Sequence, residues 1–174
     1  YGEKREYDYS RSGNPTRDAL GRALADLEGG AGAVVTASGM GAVSLVTQLF
    51  KPDQVAVVPH DCYGGTYRLF NALNLRGVLQ VRFVDFQDAA GLKAAIAEKP
   101  ALVWIETPSN PLLRIVDIAA TARKGKAVGA LVVCACDPLP MALLRTPGEL
   151  GIDVAVGEGQ SLGNRLDFGG PSFG

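Results

Sequence analysis

Apolar residues fall along this chain in two alternating rhythms. Short runs that are apolar throughout, Val55–Val58, Leu79–Val84, Ala101–Ile105, Leu131–Cys136 and Val154–Val156, read as strands with both faces covered. Between them lie segments with helical spacing: Tyr67–Leu75, Ala89–Glu98 and Asp117 to about Val128, with Leu139–Leu144 as a shorter helical stretch. The first helix has a clear start, because Asn14-Pro15 places an N-cap residue before a proline at the first helical position. Leu20, Leu24 and Leu27 form its apolar stripe, and Gly29-Gly30 stops it. Ala33-Val34-Val35 reads as a short buried strand, which Ser38-Gly39 turns into an apolar-periodic helix ending near Phe50.

Strands of this kind alternating with helices predict an α/β fold, a three-layer sandwich around a mostly parallel sheet. Residues 1–13 are polar and read as an extended arm, leaving 14–174 as one domain. In such sheets ligands sit outside the carboxyl ends of the strands. The unusual polar residues lie there: Ser38-Gly39-Met40, His60–Gly65, Glu106–Asn110 and the turn after Cys136. A Ser-Gly helix start offers free N–H groups, a hydroxyl and the positive end of a dipole, which suits phosphate and equally suits an ordinary cap.

Composition narrows the function classes. The net charge of −1 and the 47% hydrophobic content give no basic surface for nucleic acid or acidic lipid. Charged residues interrupt every apolar run before it could cross a bilayer, and the charged start at Tyr1–Glu6 has no signal-peptide character. Beginning on Tyr1 and ending in a Gly-rich run at Gly174 suggests a fragment. Three cysteines, with only Cys134 and Cys136 closely spaced, make no metal framework and fit a reducing, cytoplasmic setting. Gly157-x-Gly159 followed by Gly163 has one residue too many for a dinucleotide loop and leaves no room for its acidic partner.

Four stretches taken together are more specific: Tyr9-Ser10-Arg11-Ser12-Gly13-Asn14-Pro15-Thr16, Ala37-Ser38-Gly39-Met40, Pro59–Arg68 (Pro-His-Asp-Cys-Tyr-Gly-Gly-Thr-Tyr-Arg) and Glu106-Thr107-Pro108-Ser109-Asn110-Pro111. Over residues 7–130 the chain resembles the cystathionine γ-synthase group of pyridoxal-phosphate (PLP) enzymes, of the aspartate-aminotransferase-like fold type I. The resemblance implies the incomplete large domain of that fold, without its C-terminal domain. It implies γ-replacement on an activated homoserine ester with cysteine, and a homo-oligomer with shared sites. By the same resemblance Ser38, Gly39 and Met40 hold the cofactor phosphate, Tyr63 stacks on the pyridine ring and Asn110 reaches the ring hydroxyl. Tyr9 and Arg11 reach the phosphate of a neighbouring subunit. A dianion suits arginine and helix N–H groups, and a planar ring suits an aromatic face. His60, the only histidine, takes a structural or cofactor-edge role, since the family moves its protons through lysine.

The resemblance also implies an Asp at the pyridine nitrogen and a later Ser/Thr-x-x-Lys that forms the Schiff base. Either Ala135 or Asp137 stands at the first position. At the second the chain reads Gly157-Glu158-Gly159-Gln160-Ser161-Leu162-Gly163, with Ser161 near the place of the lysine. Lys4, Lys51, Lys93, Lys99, Lys124 and Lys126 all lie elsewhere. Residues 131–174, with Cys136-Asp137-Pro138-Leu139, Pro147–Gly151, Gly157–Asn164 and Phe168–Pro171, resemble the glycine decarboxylase P-protein subunit that lacks a Schiff-base lysine. That implies a junction near Gly129, a cofactor bound non-covalently if at all, and a subunit-like or non-catalytic role as the alternative to a working enzyme.

Overall fold

A computed structural model of the chain describes residues 6–170 and 172–174. Five strands form one parallel sheet: β1 (Val55–Pro59), β2 (Gln80–Val84), β3 (Leu102–Glu106), β4 (Leu131–Ala135) and β5 (Val154–Val156), in the order β2-β1-β3-β4-β5. Five helices accompany them: α1 (Pro15–Glu28), α2 (Gly39–Thr47), α3 (Gly64–Leu75), α4 (Ala89–Ala97) and α5 (Ile118–Ala127). The expected helix after β4 is a single 3-10 turn, Leu139–Ala142, in a stretch with prolines at 138 and 140.

Strand alternation divides the core into two layers. Ala56, Val58, Leu102, Trp104 and Val133 face Val43 and Val46 of α2 and Phe70 of α3. Val57, Val103, Ile105, Val132 and Cys134 face Leu92 and Ile96 of α4 and Ala122 of α5. This is the expected three-layer sandwich. Every residue of β3 is buried, as a central strand covered on both faces requires. At the α5 crossing Gly125 has no room for a side chain, since an added Cβ would lie 2.8 Å from Val132 Cγ2. No helix among the described residues is long and apolar enough to cross a membrane.

Two expectations change. Ala33–Val35 is not a strand: Val34 is 71% exposed, and the segment lies beside α1, with the Ala33 carbonyl 3.4 Å from where a Gly21 Cβ would sit. No sheet strand runs next to it; Thr36 exchanges backbone hydrogen bonds with Gly174 instead. The arm is not extended where it is described. The N–H groups of Ser12 and Gly13 both donate to the Tyr9 carbonyl, closing a turn, and Arg17 Nη1 donates to the Ser10 carbonyl at 3.1 Å. Residues 1–5 of that arm lie outside the described residues.

The helix starts follow local chemistry. Asn14 Oδ1 accepts the N–H groups of Thr16 and Arg17 at 3.0 and 3.1 Å, and Gly29 closes α1 at φ 69°. Asp88 and Asp117 cap α4 and α5 in the same way. Asn14→Ala is expected to lower stability by about 1 kcal/mol, and Asn14→Gly by only a few tenths, in urea titrations. Equal losses for both would show that the cap bonds carry little.

Candidate functional site

Every strand runs in one direction, so the turns after β1, β3, β4 and β5 open at one end of the sheet. The start of α2 joins them, because Gly39 N–H donates to Glu158 Oε2, in the turn after β5, at 2.8 Å. This end therefore collects most of the residues singled out from the sequence.

Ser38 is the N-cap of α2: its Oγ accepts the Gly41 N–H at 3.0 Å, while Thr36 Oγ1 donates to the Ser38 carbonyl at 2.8 Å. Met40 meets the turn after β1. A Cβ on Gly65 would lie 2.9 Å from Met40 Sδ and 2.6 Å from Tyr63 Cε1, so the absent side chain lets the Tyr63 ring fold over the first turn of α3 beside Met40. Tyr63 keeps 46% of its surface exposed, leaving ring area for a ligand. Cys62 beside it is buried, and burial pushes its thiol up to about 12, so at neutral pH it is a small neutral core group. His60 extends the sheet pairing: its backbone N–H donates to the Val84 carbonyl at 2.9 Å, and its ring Nδ1 lies 3.3 Å from the same oxygen.

Glu106 is the site's least expected member. At the end of β3 it could have been a surface carboxylate, but it is 7% exposed. It shares strand parity with Trp104 and so points to the α3 layer, where Oε1 accepts the Tyr63 N–H at 2.5 Å. Burial pushes its carboxyl above the ordinary value, and the Tyr63 N–H opposes that rise. Among the described residues Glu106 Oε2 and Trp104 Nε1 are buried without a hydrogen bond of good geometry, while the nearby Trp104 and Thr66 side chains also oppose the rise of the carboxyl. This carboxyl fixes the backbone of Tyr63 at the start of α3.

Beyond Glu106 the loop is pinned from inside. Thr107 Oγ1 accepts the Val116 N–H at 3.1 Å, and buried Ser109 accepts the Arg114 N–H at 3.2 Å through its Oγ. Asn110 stands exposed just past Ser109. Tyr9 and Arg11 are both exposed, and the Arg11 guanidinium lies 5.2 Å from the centre of the Tyr9 ring of the same chain.

After β4 the two residues left open by the sequence separate. Ala135 is the last strand residue, in register with Glu106 and Val156. Asp137 stands two residues on, its Oδ1 accepting the Leu139 N–H at 2.9 Å and the Ser161 hydroxyl at 2.8 Å. Thus the carboxylate and the residue near the expected lysine position touch.

The family model for Cys/Met metabolism PLP-dependent enzymes matches residues 1–160. Cystathionine gamma-synthase of Escherichia coli K12 is 55% identical over 157 residues, 90% of this chain and 40% of the relative. Cystathionine beta-lyase of Coxiella burnetii is 41% identical over 86% of the chain and 39% of its own length. The crystal structure of cystathionine gamma synthase from Xanthomonas oryzae pv. oryzae, in complex with aminoacrylate and cysteine, superposes with a TM-score of 0.87 at 50% identity, covering 92% of this chain and 41% of that one. The chain spans about two-fifths of the length of these relatives. The family match continues past Gly129 to residue 160, so the resemblance of the segment after 131 to glycine decarboxylase gains no support from it. The chain belongs to the Cys/Met metabolism PLP-dependent enzymes, and its sheet is part of the fold type I large domain.

Proposed function

We propose that this chain is the cofactor-binding part of a transsulfuration enzyme that exchanges the γ-substituent of an activated homoserine ester for cysteine, and that it cannot turn over by itself. The observation that carries the reading is the 2.8 Å hydrogen bond between Ser161 and Asp137. With Asp137 taken as the acid for the ring nitrogen, this bond supports reading position 161 as the anchor position, with a hydroxyl where the chemistry needs an amine. PLP supplies an electron sink when bound. The residues present fit its ring: Tyr63 offers an aromatic face held by Glu106, and Asp137 offers a carboxylate for a pyridine N–H. They do not fit its phosphate as well, because Glu158 already sits on the Gly39 N–H.

Ser161 donates a hydrogen bond to Asp137 through its hydroxyl, but it can form no imine and is too weak a base to take an α-proton. Asn110 is assigned to the ring hydroxyl. Tyr9 and Arg11 are assigned to a neighbouring subunit's phosphate, in a homo-oligomer. Three free cysteines support a cytoplasmic setting. Ser161 and Glu158 favour one second reading, a non-catalytic member of the fold.

The test is borohydride reduction with PLP, followed by peptide mapping, on the chain and on Ser161→Lys. The variant is expected to yield one dominant labelled peptide at residue 161. The parent is expected to yield none, or labels scattered over surface lysines, with no cystathionine formed from homoserine ester and cysteine. A single labelled lysine in the parent, or steady-state turnover by it, would overturn the proposal. Labelling of Ser161→Lys that stays scattered would remove position 161 from the site and favour the non-catalytic reading.

A further inference from the structure

The turn after β5 bears on the start of α2 in a way that cofactor binding does not require. Glu158 sits two residues beyond Val156 and carries its carboxylate across to a helix that begins 119 positions earlier in the chain. Oε2 accepts the Gly39 N–H at 2.8 Å, and Oε1 accepts the Ser172 N–H at 3.4 Å. The fit is close: a Cβ added to Gly39 would meet Glu158 Oε2, Cβ and Cα at 3.1, 3.2 and 3.3 Å. Glu158 is half-buried, and among the described residues it makes no ion pair with a lysine, arginine or histidine.

We infer that Glu158 is a built-in anion that closes the phosphate end of the site, so that a phosphate on a pyridine ligand adds no affinity there. This rests on the function proposed above. The start of α2 offers an anion about half a positive charge and a few free N–H groups. Glu158 uses the dipole and the Gly39 donor, and Ser38 Oγ takes the Gly41 donor. A phosphate monoester brings nearly two negative charges at neutral pH. Seated on the same donors it faces a carboxylate in a partly dry turn, where like charges repel more than in water. To enter, it must displace a side chain held at both oxygens. An unphosphorylated ring has no such conflict, since among the described residues the hydrogen bonds of Tyr63 and Asp137 go to Glu106, Leu139 and Ser161 and not to Glu158 or Gly39.

The experiment is equilibrium dialysis of the full chain, Glu158→Gln and Glu158→Ser against pyridoxine and pyridoxine 5'-phosphate. Neither compound has an aldehyde, so neither attaches to lysine. Gln keeps the size and one oxygen for Gly39, which guards the fold; Ser removes the carboxylate and leaves only the Gly174 backbone beside Ser38 and Gly39. The parent is expected to bind the two compounds within about threefold of each other. Both variants are expected to gain about tenfold or more for the phosphorylated compound only, with Ser gaining more than Gln, and inorganic phosphate should compete in the variants alone. A parent that already prefers pyridoxine 5'-phosphate tenfold, or variants that gain equally for both compounds or for neither, overturns the inference and leaves the ring site standing. Failure of pyridoxine to bind any of the three proteins removes the ring site, and both proposals fall.

Discussion

Replacing Trp104 by alanine is expected to cost about 3–5 kcal/mol, close to the whole stability of a marginal domain. Trp104 is fully buried at the middle of the central strand, with Phe70 of α3 edge-on to its ring at a centroid distance of 5.4 Å. That contact adds about 0.5–1.5 kcal/mol to the burial itself. Among the described residues the indole N–H closes no hydrogen bond of good geometry, although it lies near the Glu106 carboxyl, so the cost is mostly packing and cavity. Neighbours on β1 and β4 are backbone-fixed, which limits collapse into the hole. Urea titration should show a lower midpoint at an unchanged slope. Trp104→Phe should recover more than half of the loss. A cost below about 1.5 kcal/mol for alanine would mean that α3 can settle onto the sheet, contrary to close packing. Function follows stability here, since Glu106 lies two residues along the same face and sets the Tyr63 turn.

Much of this architecture is written locally. Asn14, Asp88 and Asp117 stand at helix starts, and continuous apolar runs mark covered strands. What escapes is whatever depends on a neighbour distant in sequence. Ala33–Val35 has strand composition but no strand edge to join, and apolar content cannot supply one. The start of α3 is hidden by Gly64-Gly65, poor helix formers that the sequence places in a turn. Gly65 is there because Tyr63 and Met40 need its space. Glu158 resembles a solvated carboxylate after a strand; only the placement of β5 beside β4 brings it to Gly39. Glu106 could have been placed by parity, since it follows Trp104 by two residues in a run with no exposed alternate. The motifs around Ser38, Tyr63 and Asn110 gather at the carboxyl end of the sheet, but they do not reveal Glu106 and Glu158, the carboxylates packed against them.

Glu106 gives the second large effect, and its sign depends on pH. Burial raises its carboxyl above the unfolded value, so the folded state holds the proton more tightly than the unfolded chain does. Between the unfolded and folded values the native protein therefore binds more protons, and unfolding free energy falls as pH rises through that window. Its contribution is fully present below the ordinary glutamate range and is lost above the raised value. Glu106→Gln should remove this slope. Glu106→Ala isolates the other half of the residue's work. At low pH, where the carboxyl is neutral in both states, alanine leaves the part-buried Tyr63 N–H without its acceptor, at about 1 kcal/mol. At neutral pH the same substitution also relieves a buried negative charge, so its cost shrinks. Urea midpoints across pH for parent, Gln and Ala distinguish these contributions, and pyridoxine binding reports on the Tyr63 ring. An alanine cost that grows with pH would show that the ionised form is the one the fold prefers, with the Tyr63 N–H outweighing burial.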